Sequence, residues 1–199
     1  MNKLGKWTIP AVLVGVVLLL AMVLGGVYNG LVASRESVNK ASGDLQSAYQ
    51  RRSDLIPNLV NVVKGSAGFE QSTLTDVVEA RSKATSVQLP DNATPEQIKA
   101  FQDAQGELSG ALSRLLVTVE AYPDIKSTQA FLSLQDQLEG TENRINIARN
   151  DFNNVVRPYN QKVQTFPTNL VAGMFGFKVT PYFEADDGAD KAPTVDFGN

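Results

Sequence analysis

The chain has 199 residues, a formal net charge of −3, and neither cysteine nor histidine. Without these residues there are no thiol nucleophiles, disulfides or imidazole bases, and a metal would have to be bound by carboxylates. The acidic balance and the lack of a basic stripe with interleaved aromatic residues argue against a nucleic-acid partner. The length allows one domain with additional segments.

The N-terminal region is the most apolar part of the sequence. No residue from Trp7 to Ser34 is charged, and residues 8–28 supply the about 20 apolar residues that a membrane-spanning helix needs. A cleavable signal peptide is the alternative, but this apolar run is longer than such peptides have, and no small-residue cleavage motif follows it. We therefore predict a short flank over residues 1–7 and an uncleaved, single-pass transmembrane helix over residues 8–28 that contacts membrane lipid.

The orientation of this helix is left open by the charges on its two sides. Lys3 and Lys6 precede the span, and Arg35 and Lys40 follow it. Because the two sides balance, the positive-inside rule does not decide on which side of the membrane the soluble part lies.

Behind the span, apolar residues recur every three or four positions, which is the spacing of amphipathic helices. The first row continues directly from the span, so the soluble part is predicted to stand on the membrane helix. A shorter helix is predicted over residues 69–87, a third begins with a capping box of Thr94 and Gln97, and a fourth carries an apolar heptad row over residues 131–159. No segment alternates with the period of a strand. The pattern predicts an all-α antiparallel bundle of about four helices with coiled-coil-like seams over residues 29–183.

Two prolines fall inside these helical rows. Proline removes one backbone hydrogen bond and crowds the preceding turn. We therefore expect Pro57 to bend the first helix and Pro158 to disrupt the last one near its end.

A polar residue, Arg52, falls on the apolar face of the first helix. Leaving a buried arginine unpaired would destabilise the fold by about 3–5 kcal/mol, so a carboxylate, either Glu120 or Glu142, should pair with it. A carboxylate metal site or a buried acid is the functional alternative, but the di-metal bundle motif needs Glu-x-x-His pairs. We predict no catalytic and no metal-binding residues, but a structural polar network formed by Arg52, Asp54, Glu120, Glu142, Arg149 and Asn153.

The C-terminal region contains the apolar segment FPTNLVAGMFGF at residues 166–177, in which Gly173 and Gly176 exclude a second span. Exposed apolar patches of this kind mark interaction surfaces. The segment either packs on the end of the bundle or meets the membrane or a neighbouring subunit. The residues predicted to form an interaction surface are Phe166, Leu170, Met174, Phe175 and Phe177. Residues 184–199 are acidic and are predicted to form a disordered tail.

Several motifs follow one another in a fixed order: YNGLV, RRSDLIPNLV, EAYPDIK, LEGTENRI, ARNDFN and FPTNLVAGMFGF. With these motifs the chain resembles the LemA family from about Tyr28 to Phe183. The resemblance implies a single-pass protein of the bacterial inner membrane with a helical-bundle domain. It implies no activity, because the molecular function of the family is not settled.

These observations predict a membrane-anchored, non-enzymatic scaffold or interaction protein without a cofactor, which forms a homo-oligomer and binds an unknown protein partner. An accessory or regulatory partner of a membrane enzyme, such as a protease, is the alternative. A hydrolase with paired carboxylates is a third hypothesis, and it would require an open cleft with two carboxylates of raised pKa.

Overall fold

The computed structural model describes residues 5–65, 69–90 and 93–184. Within these ranges every regular element is an α-helix, which confirms the predicted fold class. The helices are α1 (Gly5–Lys64), α2 (Gln71–Ser86), α3 (Pro95–Val119), α4 (Pro123–Lys126), α5 (Gln129–Gln164) and α6 (Thr168–Phe175). The short helices α4 and α6 add to those that the sequence predicts. Residues 1–4 of the predicted flank and 185–199 of the predicted tail lie outside the described residues.

Helix α1 contains both the apolar N-terminal segment and the first helix of the bundle, in one stretch of 60 residues. At about 1.5 Å per residue it is about 90 Å long. The side chains of residues 9–26 are exposed, whereas Leu31, Val38 and Leu45 are buried against other helices. Among the described helices, α1 alone is long and apolar enough to cross a membrane, by the criteria of length and composition.

The helix continues through Pro57 to Lys64. Proline has no N–H to offer the carbonyl four residues earlier, which here belongs to Ser53. That carbonyl instead accepts a hydrogen bond of 2.8 Å from Nε of Arg81 on α2. A side chain of the neighbouring helix thus replaces the missing backbone donor.

The predicted disruption at Pro158 is wrong, because α5 continues through this residue to Gln164. The carbonyl that Pro158 leaves without a helical partner belongs to Asn154, which lies on the exposed side of the helix where water can bond it. The next residues, Tyr159 and Asn160, are buried, so packing holds the last turns of α5 in helical form.

The long helices α1 and α5 pack against each other and form the axis of the domain. Helices α2 and α3 pair with each other and cover the half of this axis that is distant from the N-terminal span. The other half is covered by α6, by the non-helical segment 177–184 and by the first turns of α3. The start of α3 is fixed by the predicted capping box between Thr94 and Gln97.

The core consists of two clusters of buried apolar residues. The proximal cluster, next to the span, includes Leu31, Val38, Leu45 and Tyr49 of α1, Ile98 and Phe101 of α3, and Ile145, Phe152 and Val156 of α5. The distal cluster includes Leu55, Ile56, Leu59 and Val63 of α1, Leu108, Leu112 and Leu115 of α3, and Phe131, Leu134 and Leu138 of α5. On each of these helices, the residues between the two clusters are polar or small.

Candidate functional site

Arg52 occupies the boundary between the two clusters and is only 2 % exposed. One terminal nitrogen donates to Glu142 Oε2 at 2.8 Å and to Ser109 Oγ at 2.7 Å. The other donates to Gln105 Oε1 at 2.7 Å and to the Gln105 carbonyl at 3.3 Å. The partners lie on α3 and α5, so one side chain of α1 connects three helices.

The fourth helix of this layer is joined through Gln105, which is itself buried. Its Nε2 donates to the carbonyl of Ala84 on α2 at 3.2 Å. The Nε of Arg52 is buried and has no hydrogen-bond partner among the described residues. Because the two terminal nitrogens of Arg52 reach their partners on two other helices in only one axial alignment, this polar layer is suited to hold the helices in register.

Tyr49 precedes Arg52 by about one turn of α1 and extends the layer toward α5. Its ring lies 5.3 Å from the Arg52 guanidinium carbon, and its hydroxyl accepts a hydrogen bond of 2.8 Å from Nε of Arg149. Burial raises the pKa of the Tyr49 phenol, and the charge of Arg149 opposes part of this rise. Arg149 therefore joins the layer through Tyr49.

Three of the six residues predicted for the network, Asp54, Glu120 and Asn153, lie elsewhere. Asp54 is exposed and accepts a hydrogen bond of 2.7 Å from Gln50, because two residues along a helix turn the side chain to the opposite face. Glu120 is exposed at the far end of α3 and pairs with Lys126. It follows Gln105 by 15 residues, which places it about 22 Å along the helix from the layer.

Sequence reasoning did not assign Gln105, Ser109 or Tyr49 to the network. Gln105 carries the clearest signal, because it is the polar position within the otherwise apolar row of α3. A buried polar residue on one helix and a buried arginine on another are natural partners, since each needs a hydrogen bond. Ser109 follows Gln105 by one turn and gave no signal of its own.

Open grooves between α3 and α5 lie next to the layer. One of about 290 Å³ has Arg52 at its base, with Leu112 and Leu138 among its walls. A second of about 560 Å³ is lined by charged side chains, including Lys83, Glu107 and Arg149. Among the residues that the structure describes, no three carboxylates are placed to hold a metal ion.

Asn153, the last residue of the predicted network, belongs to a different arrangement. Its side-chain amide donates to the Phe183 carbonyl at 2.8 Å and accepts from the Phe183 N–H at 3.0 Å. Asn160, two turns later, makes the same pair of bonds with Thr180, at 2.7 and 2.8 Å. Tyr159 also donates to the Lys178 carbonyl at 2.9 Å. These bonds clamp the segment 177–184 along α5.

The predicted interaction surface is divided by the structure. Phe166, Leu170, Met174 and Phe175 are exposed, but Phe177 is buried in the proximal cluster. Gly176 ends α6 with a left-handed conformation (φ 73°), which reverses the chain and directs the next side chain inward. Phe177 is therefore a core residue, and its assignment to the surface is corrected.

A helical bundle on the end of a long, exposed apolar helix defines a class of membrane-associated helical proteins. The chain belongs to the LemA family, which it matches over residues 41–197. It is 28 % identical to magnetosome protein MamQ 1 of Paramagnetospirillum magneticum, over 95 % of this chain and 77 % of that protein. It is 26 % identical to protein LemA of Metamycoplasma hominis, over 81 % of this chain and 71 % of that protein. It is also 26 % identical to magnetosome protein MamQ of Magnetospirillum gryphiswaldense, over 82 % of this chain and 66 % of that protein.

Proposed function

We propose that the protein is a non-enzymatic scaffold of the bacterial inner membrane, which α1 crosses once through residues 8–28. The observation that carries this proposal is the character of α1. The side chains of residues 9–26 are exposed and uncharged, and a row of this length is stable as a helix when lipid surrounds it. The names of the relatives, magnetosome protein MamQ 1 and protein LemA, describe no enzyme.

The second support is the direct continuation of the span into the bundle. No loop separates residue 28 from the first buried residue of the bundle, Leu31. A scaffold that must present a surface at a fixed height above a membrane benefits from such a connection, whereas a flexible linker would let the domain sample many positions. The bundle is proposed to bind a second copy of this chain and also an unknown protein partner.

The membrane anchor is tested by alkaline carbonate extraction of native membranes, followed by N-terminal sequencing of the retained chain. The anchor predicts that the uncleaved chain stays in the membrane. Release of a chain that begins near residue 28 would instead identify a signal peptide and overturn the proposal.

The scaffold role is tested by proximity labelling in the native membrane with the full chain. A matched variant carries a flexible Gly-Ser insertion after Gly30, which keeps both the span and the bundle but separates them mechanically. If the protein is a scaffold, the wild type should label a defined set of proteins, and the insertion variant should label a different set. If both forms label membrane proteins indiscriminately and to the same extent, the scaffold role is contradicted.

A further inference from the structure

Helix α6 has an apolar inner face and an apolar outer face. Val171 and Ala172 point inward and are buried, at 3 % and 1 % exposure. On the opposite side Leu170 and Met174 are 59 % and 76 % exposed, and Phe166 just before the helix is 74 % exposed. The inner face accounts for the folding of α6 onto the bundle, but it does not account for the outer face, which none of the described residues buries.

The outer face lies at the level where the exposed apolar part of α1 ends. Phe175 stands against Tyr28, with ring centroids 4.8 Å apart, and Tyr28 is the last residue of the predicted span. Phe177 also contacts Tyr28, at 5.8 Å. The apolar surface of the span therefore continues sideways onto α6, and aromatic residues mark the junction, as they do at membrane interfaces.

Basic side chains surround this junction. The Arg35 guanidinium carbon lies 4.8 Å from the centre of the Phe177 ring, and Lys162 donates to Ser34 Oγ at 2.6 Å. Lys178 follows α6 by three residues and is exposed. Within residues 28–36 and 161–183 the sequence contains a single acidic residue, Glu36, although the whole chain is acidic. Exposed apolar side chains with basic residues around them are typical of surfaces that bind anionic lipids.

We propose that α6, together with Phe166, lies in the headgroup region of the same bilayer that α1 crosses, as a second lipid contact. The inference rests on the proposed membrane anchor. The two contacts fix different quantities: the span holds the protein in the membrane, and α6 fixes the height and rotation of the bundle relative to the lipid surface. A bilayer is favoured over a second copy of this chain because the apolar surface is continuous with the span and is bordered by like charges, which would repel across a twofold interface.

The chain has no cysteine, so single labels can be introduced without background. The full chain is reconstituted in vesicles of phosphatidylcholine and phosphatidylglycerol, with an environment-sensitive fluorophore on Met174→Cys. Lipids that carry a nitroxide quencher near the headgroup are then titrated in. The matched control is Val117→Cys, an equally exposed apolar position (73 %) at the distal end of α3. We expect the Met174 label to be quenched at least threefold more strongly than the Val117 label.

A third label separates failure of this inference from failure of the anchor. Leu18→Cys lies in the middle of the span and should be quenched by nitroxide placed deep in the acyl chains. An unquenched Leu18 label would overturn the anchor itself. A quenched Leu18 label with equal quenching at Met174 and Val117 would overturn the contact of α6 with lipid and leave the anchor intact. Self-quenching at Met174 that rises with the protein-to-lipid ratio would assign the surface to a second copy instead.

Changes around the label test which side chains hold the helix on the lipid. The pair Phe166→Ser and Leu170→Ser removes exposed apolar groups, so the thermal unfolding of the bundle should stay unchanged. In this background the Met174 label should lose at least half of its quenching. Lys178→Gln should reduce quenching in vesicles that contain phosphatidylglycerol and not in vesicles of phosphatidylcholine alone. Full quenching in both variants would contradict the proposal.

Discussion

Arg81 on α2 donates from its Nε to the carbonyl of Ser53, the carbonyl that Pro57 leaves without a helical partner. The bond is 2.8 Å long and partly buried. The proline in the middle of the RRSDLIPN motif is thus linked to a particular residue on the next helix. Pro57 leaves the Ser53 carbonyl without a helical donor, and the hydrogen bond from Arg81 to this carbonyl connects α2 to α1.

This relationship predicts a coupling between two substitutions. Arg81→Met leaves the Ser53 carbonyl unsatisfied and should lower the free energy of unfolding by about 1–3 kcal/mol. In a Pro57→Ala background the restored N–H can bond this carbonyl, so the same substitution should have an effect smaller by about 1 kcal/mol. Denaturant unfolding of the four proteins of the cycle in detergent measures the coupling. An identical effect of Arg81→Met in both backgrounds would contradict it.

The two partners of the ion pair between Arg52 and Glu142 differ in burial, because the Arg52 side chain is 2 % exposed and the Glu142 side chain 46 %. Glu142→Leu leaves the buried guanidinium with only neutral partners, and we expect it to lower the free energy of unfolding by about 2 kcal/mol, less than for a fully buried pair. Adding Arg52→Met removes the unpaired charge, so the double variant should be more stable than Glu142→Leu alone. Thermal and denaturant unfolding of both variants test this order, and the reverse order would refute the assignment of Glu142 as the essential counter-charge.

The asparagine clamp on the C-terminal segment is tested by Asn160→Ala. The substitution removes two hydrogen bonds to Thr180 and should lower the free energy of local opening by about 1–3 kcal/mol. Amide hydrogen exchange at Thr180 should accelerate accordingly, while exchange in α3 stays slow. Asn154→Ala, on the exposed side of the same helix, is the matched control. Unchanged exchange at Thr180 would show that the bonds of Asn160 are not needed to hold the segment, which Asn153, Tyr159 and the buried Phe177 and Phe183 still attach.

Tyr49 gives the domain a pH dependence in the alkaline range. Burial raises the pKa of its phenol above the ordinary value of about 10, so ionisation favours the unfolded chain. The contribution of the neutral phenol is fully present below about pH 10 and is lost as the pH rises through the higher pKa of the folded state. The free energy of unfolding should therefore fall more steeply above pH 10 in the wild type than in Tyr49→Phe. Since the two proteins differ only in this hydroxyl group, parallel curves would contradict the buried phenol.

Much of the fold could be predicted from the sequence because helical periodicity is a local property. Rows of apolar residues determine which face of each helix is buried, and Thr94 with Gln97 determines where α3 begins. The burial of Arg52 follows from the same rule, since it occupies an apolar row. The periodicity of a single helix does not specify how far that helix is shifted along its axis relative to its neighbours. It therefore could not distinguish Glu142 from Glu120 as the partner of Arg52.

The C-terminal region was harder to predict for a different reason. In a segment as apolar as FPTNLVAGMFGF, composition does not distinguish inward from outward side chains. The distinction between Phe175 and Phe177 is made by the left-handed turn at Gly176, a single backbone conformation. Asn153 and Asn160 show a spacing of seven, but a side chain that bonds the backbone of a distant segment leaves no periodic signal in that segment.

In the proposed membrane-anchored protein, the uninterrupted path of α1 would also couple the tilt of the span to the position of the bundle. From Tyr28 to Lys64 the helix rises about 54 Å, so a change of about 10° in its inclination displaces the far end by about 9 Å. A spanning helix that is longer than the hydrocarbon layer accommodates the difference partly by tilting, so bilayer thickness is one of the factors that affect its inclination. A change in membrane thickness would therefore displace a protein bound at the distal end of the bundle sideways, without any change within the bundle itself.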